Sequence, residues 1–492
     1  MTTINTNLNS LIAQRVLKNN NKGLQTNLER LSTGLRINRG SDDPAGLIAS
    51  ENLRAEKTAI MQAIANGERA ERVITIAEGG LTEVQDQLRE LEALTSSAAS
   101  HGGLSAEERK AIQLQVDSIL GSIDRIADQT SFQSIKLLNG SFEFNTSGVR
   151  VNEFDEVQVN AALLPTDTST MVMNIKVAQS AQTALAMIST DGAGLNGFSG
   201  QTVTFEITGS LGTMQFAFAS GTNATEAVQS INEFSEITGV SAAQSGSGIV
   251  LQSKGVGTNE FVTVRHIEGD AYESRIHFDD GTGTAVSAIG TRSGRDEGRD
   301  AAITINGIRA HTQGLVASLS QAHLDLEFRV DSGFNQNGNV TSFVIRGGGA
   351  KFSLSPRASL GGKARIGIAG VSTGTLGSSV HGRLASLKSG GTANVLNGDV
   401  DRAQRIIDSA IRQVSVQRGQ LGSFIANTVQ TSINSLNIAF ENTAAAESVI
   451  RDTDFAHETA ELTRSQVLVQ AATNILSIAN SQPQSALALL GG

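Results

Sequence analysis

The chain has no cysteine and no tryptophan, one tyrosine and four prolines in 492 residues. Without cysteine there is no disulfide framework, no thiolate-held zinc, no iron–sulfur cluster and no thiol nucleophile. Basic charge is also in short supply. The 38 Lys and Arg face 48 Asp and Glu, a net charge of −10, whereas nucleic-acid binders normally carry a basic footprint. No nucleic-acid partner is therefore expected. No run of about 18 apolar residues occurs, so no membrane insertion is expected. The start, Met1-Thr-Thr-Ile-Asn-Thr-Asn-Leu8, has neither a basic n-region nor an apolar h-region. It does not read as a secretory signal, and export would need another route.

What is present is unevenly spread. Residues 1–140 hold 11 Gly and a single Phe, Phe132, and residues 394–492 hold 5 Gly and three Phe. The stretch 141–393 holds the other 35 Gly, 14 of the 18 Phe and Tyr272. Glycine depresses helix formation and aromatics favour strands. The composition thus predicts helical ends around a β-rich insert.

Spacing says the same. Leu24, Leu28, Leu31 and Leu35 lie 4, 3 and 4 residues apart, a heptad seam, with Ile4, Leu8 and Leu11 as a shorter stripe before them. Asn19-Asn-Asn21 is expected to weaken the pattern between the two. Arg39-Gly-Ser-Asp-Asp-Pro-Ala-Gly46 combines turn formers with a helix start. Ile74, Ala77, Leu81, Val84, Leu88 and Leu91 then alternate 3 and 4 apart up to His101-Gly-Gly103. One helix over 47–98 would be about 75–80 Å long at 1.5 Å per residue, which implies a rod. Ser105 and Glu108 form a capping box ahead of Ile112, Val116, Ile119, Ile123 and Ile126. Toward the C-terminus, Ile407, Ile411, Val414, Leu421 and Ile425 mark one face. Phe455, Leu462, Val469 and Leu476 recur every seven residues. Pro483 is expected to stop that helix, ahead of the apolar tail Ala486–Leu490.

Between the ends the pattern turns to period two: Val203, Phe205, Ile207, then Met214, Phe216, Phe218 across a glycine turn, and later Leu324, Leu326, Phe328, Val330. A short helix is expected over Thr225–Phe234. Charges at the two ends are complementary. Arg15, Lys18, Lys22, Arg30, Arg36 and Arg39 stand against Glu29 alone in the first forty residues. Glu441, Glu447, Asp452, Asp454, Glu458 and Glu461 predominate near the end. A basic first helix beside an acidic last one is expected.

Candidate chemistry is thin. His457-Glu-Thr-Ala-Glu461 has Glu where a zinc-protease helix needs its second His, and Leu360-Gly-Gly-Lys-Ala364 lacks the spacing and the hydroxyl of a phosphate loop. Asp279-Asp280-Gly281 reads as a turn. No catalytic residue, metal ligand or cofactor site is expected, and no enzyme. Four classes stay open: a fibre subunit, a coiled-coil adaptor, an adhesin and an enzyme with helical spacers. Unpaired apolar seams at both ends favour assembly.

The residues resemble bacterial flagellin. Ile4-Asn-Thr-Asn-Leu-Asn-Ser-Leu-Ile-Ala-Gln-Arg15, Leu28-Glu-Arg-Leu-Ser-Thr-Gly-Leu-Arg-Ile-Asn38 and Ser41-Asp-Asp-Pro-Ala-Gly-Leu47 resemble that family's start. Val416-Gln-Arg-Gly-Gln-Leu-Gly422, Glu447-Ser-Val-Ile-Arg-Asp-Thr-Asp454, Ser481-Gln-Pro-Gln484 and Leu487–Leu490 resemble its end. Phe132-Gln-Ser134 and Glu441-Asn-Thr443 depart from the family's usual Phe-Asn-Gly and Glu-Asn-Leu. The resemblance implies a multidomain α+β chain, its long terminal helices forming a coiled-coil or helical-bundle rod and its middle a β-rich insert.

The implied division is 1–44 and 451–492 for an inner coiled-coil core, 45–150 and 394–450 for a helical rod domain, 151–300 for a first outer α+β domain and 301–393 for a second, β-rich one. It further implies an extracellular filament subunit for motility, exported unfolded by the flagellar type III apparatus. Its partners would be copies of itself, hook-associated junction and cap proteins, and an export chaperone on the C-terminal helix. A hook–filament junction protein of the same helical design is the alternative. The implied assembly and core seam comprises Leu24, Leu28, Leu31, Leu35, Leu81, Val84, Leu88, Leu91, Phe455, Leu462, Val469 and Leu476. Leu88, Arg89, Glu90 and Leu91 resemble the segment that an innate Toll-like receptor recognises in many flagellins.

Overall fold

The computed structural model describes residues 7–100, 103–165, 170–190, 198, 202–245, 248–268, 274–278, 293–321, 324–357, 359–396 and 399–490. Ile4, His101, Tyr272, Asp279-Asp280-Gly281 and His323 lie outside them.

Helix boundaries fall where capping chemistry puts them. Helix α1 spans Leu8–Thr33: the Asn7 carboxamide oxygen accepts from the Ser10 N–H, and Gly34 ends the helix in the left-handed region at φ 74°. Helix α2 runs unbroken over 55 residues, Pro44–Ala98, with proline in the first turn, where its missing N–H costs nothing. Helix α3, Ala106–Gln129, starts on the Ser105–Glu108 capping box. The short α4, Ala224–Glu233, starts on a second box made by Asn223 and Glu226, and α5 follows over Ser235–Thr238. Helix α6, Val400–Phe424, is capped by Asp399 and passes through a π-helical turn at Ile425–Val429 into α7, Gln430–Arg451. Helix α8 spans Phe455–Leu490. Helix α1 runs through Asn19–Asn21. One expectation is corrected: Pro483 does not stop α8, which continues to Leu490.

The chain forms two compact units. One is drawn from residues up to Ala70, Ser353–Gly362 and residues from Asn427 onward; the other comprises Glu71–Phe352 and Lys363–Ala426. In the first unit α1 lies antiparallel to α8. The early part of α2 packs on α7 through Ile60, Ala63 and Leu436, flanked by Ile64, Ala439 and Phe440. Lys57 pairs with Glu447, and Arg451 pairs with Glu51 at 2.8 Å. The segments entering α2 and leaving α7 are joined by backbone. The Arg36 N–H donates to Arg451 O at 2.7 Å and the Thr453 N–H to Gly34 O at 2.9 Å.

In the second unit Ile74, Ala77, Leu81, Val84, Leu88 and Leu91 of α2 are buried to 0% exposure. Gln85 of α2 donates to the Ser415 hydroxyl of α6 at 3.2 Å and accepts from Arg418. Helix α3 is fastened to the returning chain by polar side chains. Gln113 donates to Leu387 O at 2.9 Å and accepts from the Val395 N–H at 2.8 Å.

The β-rich part holds two cores. One lies between two antiparallel sheets. The first has the order Ile308–Arg309, Ala302–Ile305, Thr170–Gln179, Val340–Gly348, Phe144–Ser147. The second has the order His311–Gln313, Val316–Gln321, Leu324–Val330, Phe154–Ala162. Phe154 meets Phe328 and Phe343 edge to face at 5.5 and 5.6 Å. The other core is built from the sheet Ser274–Phe278, Leu185–Thr190, Gly248–Ser253, Val240–Ser245 and the sheet Ser293–Glu297, Phe261–Glu268, Val203–Thr208, Thr213–Phe218, with Ala224, Ala227 and Ile231 of α4 packed in.

The cores are nested rather than consecutive. The first uses residues on both sides of the second, so the expected cut at 300/301 does not separate them. The chain passes from one to the other at Gln182 and Arg299, where Val256 also packs on the first core. The Gln182 N–H donates to Arg299 O at 2.9 Å and the Arg299 N–H to Gln182 O at 3.0 Å. Beside it, Gly257 sits at φ 113°, and a Cβ there would lie 2.7 Å from Gly314 Cα. Only glycine fits.

Asp124 on α3 accepts from the Thr373 N–H at 2.7 Å, the Thr373 hydroxyl at 2.9 Å and the Lys388 ammonium at 3.0 Å. Burial pushes its carboxyl up, but these donors outweigh burial, and the net direction is down. A lowered folded value contributes stability above the unfolded value of about 4, and that contribution is lost as pH falls through the folded one. Asp124→Asn is expected to cost about 1 kcal/mol at pH 7, since the site is partly exposed and screened. The difference should shrink toward zero as pH falls below about 4. Urea titrations followed by circular dichroism at each pH check this; a pH-independent difference would refute it. Replacing 183–298 by a Gly-Ser dipeptide is expected to leave the first core folded, read by the methyl NMR dispersion of Ile175, Ile303 and Ile345. Collapse of that dispersion would show the cores to be interdependent.

Candidate functional site: the paired terminal helices

A pair of helices encloses only a narrow strip between them. Where α1 and α8 face each other, that strip is made of small and polar residues. Ser10, Ala13 and Asn27 of α1 are buried, as are Glu458, Ala472 and Ala479 of α8. Amide and hydroxyl groups cross the gap at intervals. Asn7 Nδ2 donates to Ala479 O at 2.7 Å, Asn9 Nδ2 to Gln482 Oε1 at 3.2 Å, and Ser10 Oγ to Asn480 Oδ1 at 2.6 Å. Further along, Asn20 Nδ2 donates to Leu468 O at 3.2 Å and Asn27 Nδ2 to Ser465 Oγ at 3.1 Å. The partners' numbers fall as those of α1 rise, which fixes the antiparallel register.

The expected charge complementarity narrows to a single ion pair between the helices among the described residues, Arg30–Glu458 at 3.7 Å. Glu458 is 5% exposed, and its Oε1 meets no donor. The other acids face elsewhere: Glu447 toward Lys57, and Asp452 toward the Ser448 hydroxyl at 2.6 Å.

Many large apolar side chains are left in water. Leu8, Leu11, Ile12, Val16 and Leu28 on α1 are exposed, as are Phe455, Val467, Leu468, Ile475 and Ile478 on α8. Ile12, Val16, Leu468 and Ile475, with Ala13 and Ala472 at the floor, line an open groove of about 430 Å³. The fold of the single chain thus leaves an apolar groove uncovered along this helix pair.

The expected seam residues divide three ways. Leu24, Leu31, Leu35, Leu462, Val469 and Leu476 are half-buried, Leu28 and Phe455 are exposed, and Leu81, Val84, Leu88 and Leu91 are sealed inside the second unit. Within the receptor-like segment, Leu88 and Leu91 are therefore interior. Only Arg89 and Glu90 are exposed, with Arg89 2.9 Å from Asp86. His457 is exposed on α8. Among the described residues no three His, Asp or Glu side chains converge as metal ligands, and no helix is long and apolar enough to cross a membrane. The cross-linking residues Asn7, Ser10, Asn20 and Asn27 escaped a reading built on apolar spacing. Their signal was the density of asparagine in the opening residues.

Comparison with known proteins bears on the same segments. Residues 4–143 match the profile of the bacterial flagellin N-terminal helical region, and residues 404–490 that of the C-terminal helical region. The chain is 26% identical to a B-type flagellin of Pseudomonas aeruginosa and 27% identical to flagellin B of Helicobacter pylori, each alignment covering 99% of both chains. Among solved structures it is similar to FliC of Burkholderia pseudomallei (14% identity, 74% of this chain and 99% of that one, TM-score 0.24). It is also similar to a hook-associated protein-3 of Legionella pneumophila (12% identity, 80% and 97%, TM-score 0.29).

Removing one member of a buried ion pair strands the other. Arg30→Ala is therefore expected to destabilise the α1–α8 pair by about 2 kcal/mol, and Glu458→Gln by less than about 1 kcal/mol, because the carboxylate is poorly partnered already. Hydrogen exchange of the amides around 458–472 measures both. An equal or reversed order would mean that the charge pair itself holds the helices.

Proposed function

This chain belongs to the bacterial flagellins, and we propose that it is the repeating subunit of a flagellar filament, joined to its neighbours through α1 and α8. The observation that carries the reading is the outward apolar row on both helices. Burial of apolar surface yields about 25 cal/mol per Å². A row left in water by the subunit's own fold is a standing drive for association with the same row on other copies. The occupant is a second copy of the chain, because both members of the pair carry such a row and repeated copies bury both.

The subunit is structural, and we assign it no catalysis. Its place is the extracellular filament. Unfolded export through the flagellar type III apparatus is supported by the lack of cysteine, since no disulfide has to form during or after passage. An export chaperone would cover Val467, Leu468, Ile475 and Ile478 of α8 before assembly. Junction and cap proteins would meet the filament ends through the same helices. An innate receptor reading the Leu88–Leu91 segment would contact Arg89 and Glu90.

Ile12 and Ile475 are 44% and 57% exposed in the single chain. Ile12→Asp and Ile475→Asp are thus expected to leave subunit stability within about 0.5 kcal/mol. Each should nevertheless abolish filament growth, since burying an unpaired carboxylate between copies costs several kcal/mol. Seeded polymerisation followed by electron microscopy, with thermal melting of the unassembled chain alongside, tests the reading. Long filaments from both variants would overturn it. Short oligomers from the parental chain would favour the junction role instead.

A further inference from the structure

The second β-rich core is carried on the first by two chain crossings. On the way in, the Asn335 carboxamide of the first domain accepts from the Ala181 N–H at 2.8 Å and donates to Ala181 O at 2.9 Å. Ala184 already belongs to the second: its N–H donates to the Ser253 hydroxyl at 2.9 Å, and its carbonyl accepts from the Ser253 N–H at 3.0 Å. On the way out, the Gly298 N–H donates to Glu260 O at 2.8 Å, and the Ala301 N–H to Gly314 O at 3.0 Å. Only residues 182–183 and 299–300 lie between these anchors. Crossings this short keep the domains close. Two strands side by side still bend as a hinge, and joined domains move against each other unless something further holds them.

A third contact does so. The loop Val256-Gly257-Thr258, between the strands Gly248–Ser253 and Phe261–Glu268 of the second domain, reaches across to the first. Val256 packs on the first core. Gly257 lies so near the first domain that a Cβ there would come within 2.7 Å of both Gly314 Cα and Asp300 Oδ1. Asp300 takes donors from both sides. Its Oδ1 accepts the Gly314 N–H at 2.7 Å and the Thr258 N–H at 3.0 Å, and its Oδ2 accepts the Thr258 hydroxyl at 2.8 Å. Burial pushes the Asp300 carboxyl up, but these donors, with His311 nearby, outweigh burial and hold it below the ordinary carboxylate range. The group is therefore charged at neutral pH, and its hydrogen bonds are charge-assisted.

We propose that the Val256-Gly257-Thr258 loop is a latch: closed on Asp300, it fixes the orientation of the inserted domain on the domain that carries it. Asp300 is the positioning residue, because its one carboxylate ties a donor from each domain. The apolar contact of Val256 and the close approach of Gly257 to Gly314 set where the loop lands, and the carboxylate holds it there. Hydrogen bonds depend on angle and apolar packing does not. An opened latch therefore gives a spread of orientations about the two crossings rather than a second fixed one.

The absence of native cysteine lets nitroxide labels go to chosen sites alone. Gln229→Cys on α4 and Ser342→Cys on the strand Val340–Gly348 put one label at an exposed position of each domain. Double electron–electron resonance on the unassembled full-length chain reads the spread of distances between them. The parental chain should give a single narrow distribution. Asp300→Ala should widen it about twofold and Thr258→Val about 1.5-fold, while Thr258→Ser, which keeps the hydroxyl, should leave it unchanged. With Asp300→Ala already present, Thr258→Val should add no further width, since its partner is gone. Methyl signals of Ile175 and Ile303 in the first core and of Ile207 and Ile249 in the second show whether both stay folded. Should Asp300→Ala unfold either core, Thr258→Val and Thr258→Ser decide alone. Parental widths in folded Asp300→Ala and Thr258→Val chains would overturn the latch. So would a parental distribution as wide as theirs, or equal broadening by Thr258→Val with and without Asp300. No contact between copies enters the readout, so the filament reading stands or falls separately.

Discussion

Everything distinctive about the terminal helices follows from how little two helices can hide. A pair in contact along one line shields a strip about one side chain wide, and a helix with apolar residues beyond that strip leaves them in water. In this chain the fully buried strip goes largely to alanine, serine and asparagine, Leu24, Leu31, Leu462, Val469 and Leu476 are half-buried, and Leu8, Leu11, Ile12, Val16, Leu28, Phe455, Ile475 and Ile478 stay outside. The intramolecular contact is made specific by hydrogen bonds, which depend on position, and the intermolecular one is driven by apolar area, which does not. A helix pair held the other way round, with its leucines inside and amides outside, would be a more stable hairpin and a poor polymer subunit.

Stability and association are also drawn from different residues. Leu81, Val84, Leu88 and Leu91 are sealed within the second unit, so they hold the subunit and have no surface to offer a neighbour. The β-rich part is self-sufficient in the same sense. Its phenylalanines lie in two cores of their own, and the inner insertion leaves and re-enters through a pair of backbone hydrogen bonds at Gln182 and Arg299. An insert whose ends meet can grow, shrink or change sequence with little effect on the strands that carry it.

Much of this was legible in the residues. The 3–4 spacing over Ile74–Leu91 and the Ser105–Glu108 box located α2 and α3. The alternation over Val203–Ile207 and Met214–Phe218 located a hairpin, because one-face burial leaves a periodic trace. What stayed hidden was of two kinds. Nesting is a property of strand pairing: Thr170–Gln179 pairs with Val340–Gly348 across the whole intervening domain, and no local pattern announces a partner so far away. The polar contacts between α1 and α8 stayed hidden because amide and hydroxyl cross-links such as Asn7 to Ala479 O and Asn27 to Ser465 leave no apolar period to read.

A uniform helix presents the same backbone at each turn and an apolar seam repeats every seven residues, so neither distinguishes one register from the next. Position-dependent hydrogen bonds do. Asn7 to Ala479 O, Ser10 to Asn480 and Asn27 to Ser465 are made together in one register, and a slip by one turn breaks all three. Each bond contributes little by itself, about 1 kcal/mol, but they share one alignment. The apolar rows on both helices then reach the surface in one fixed arrangement, the condition for identical copies to stack on one another without error.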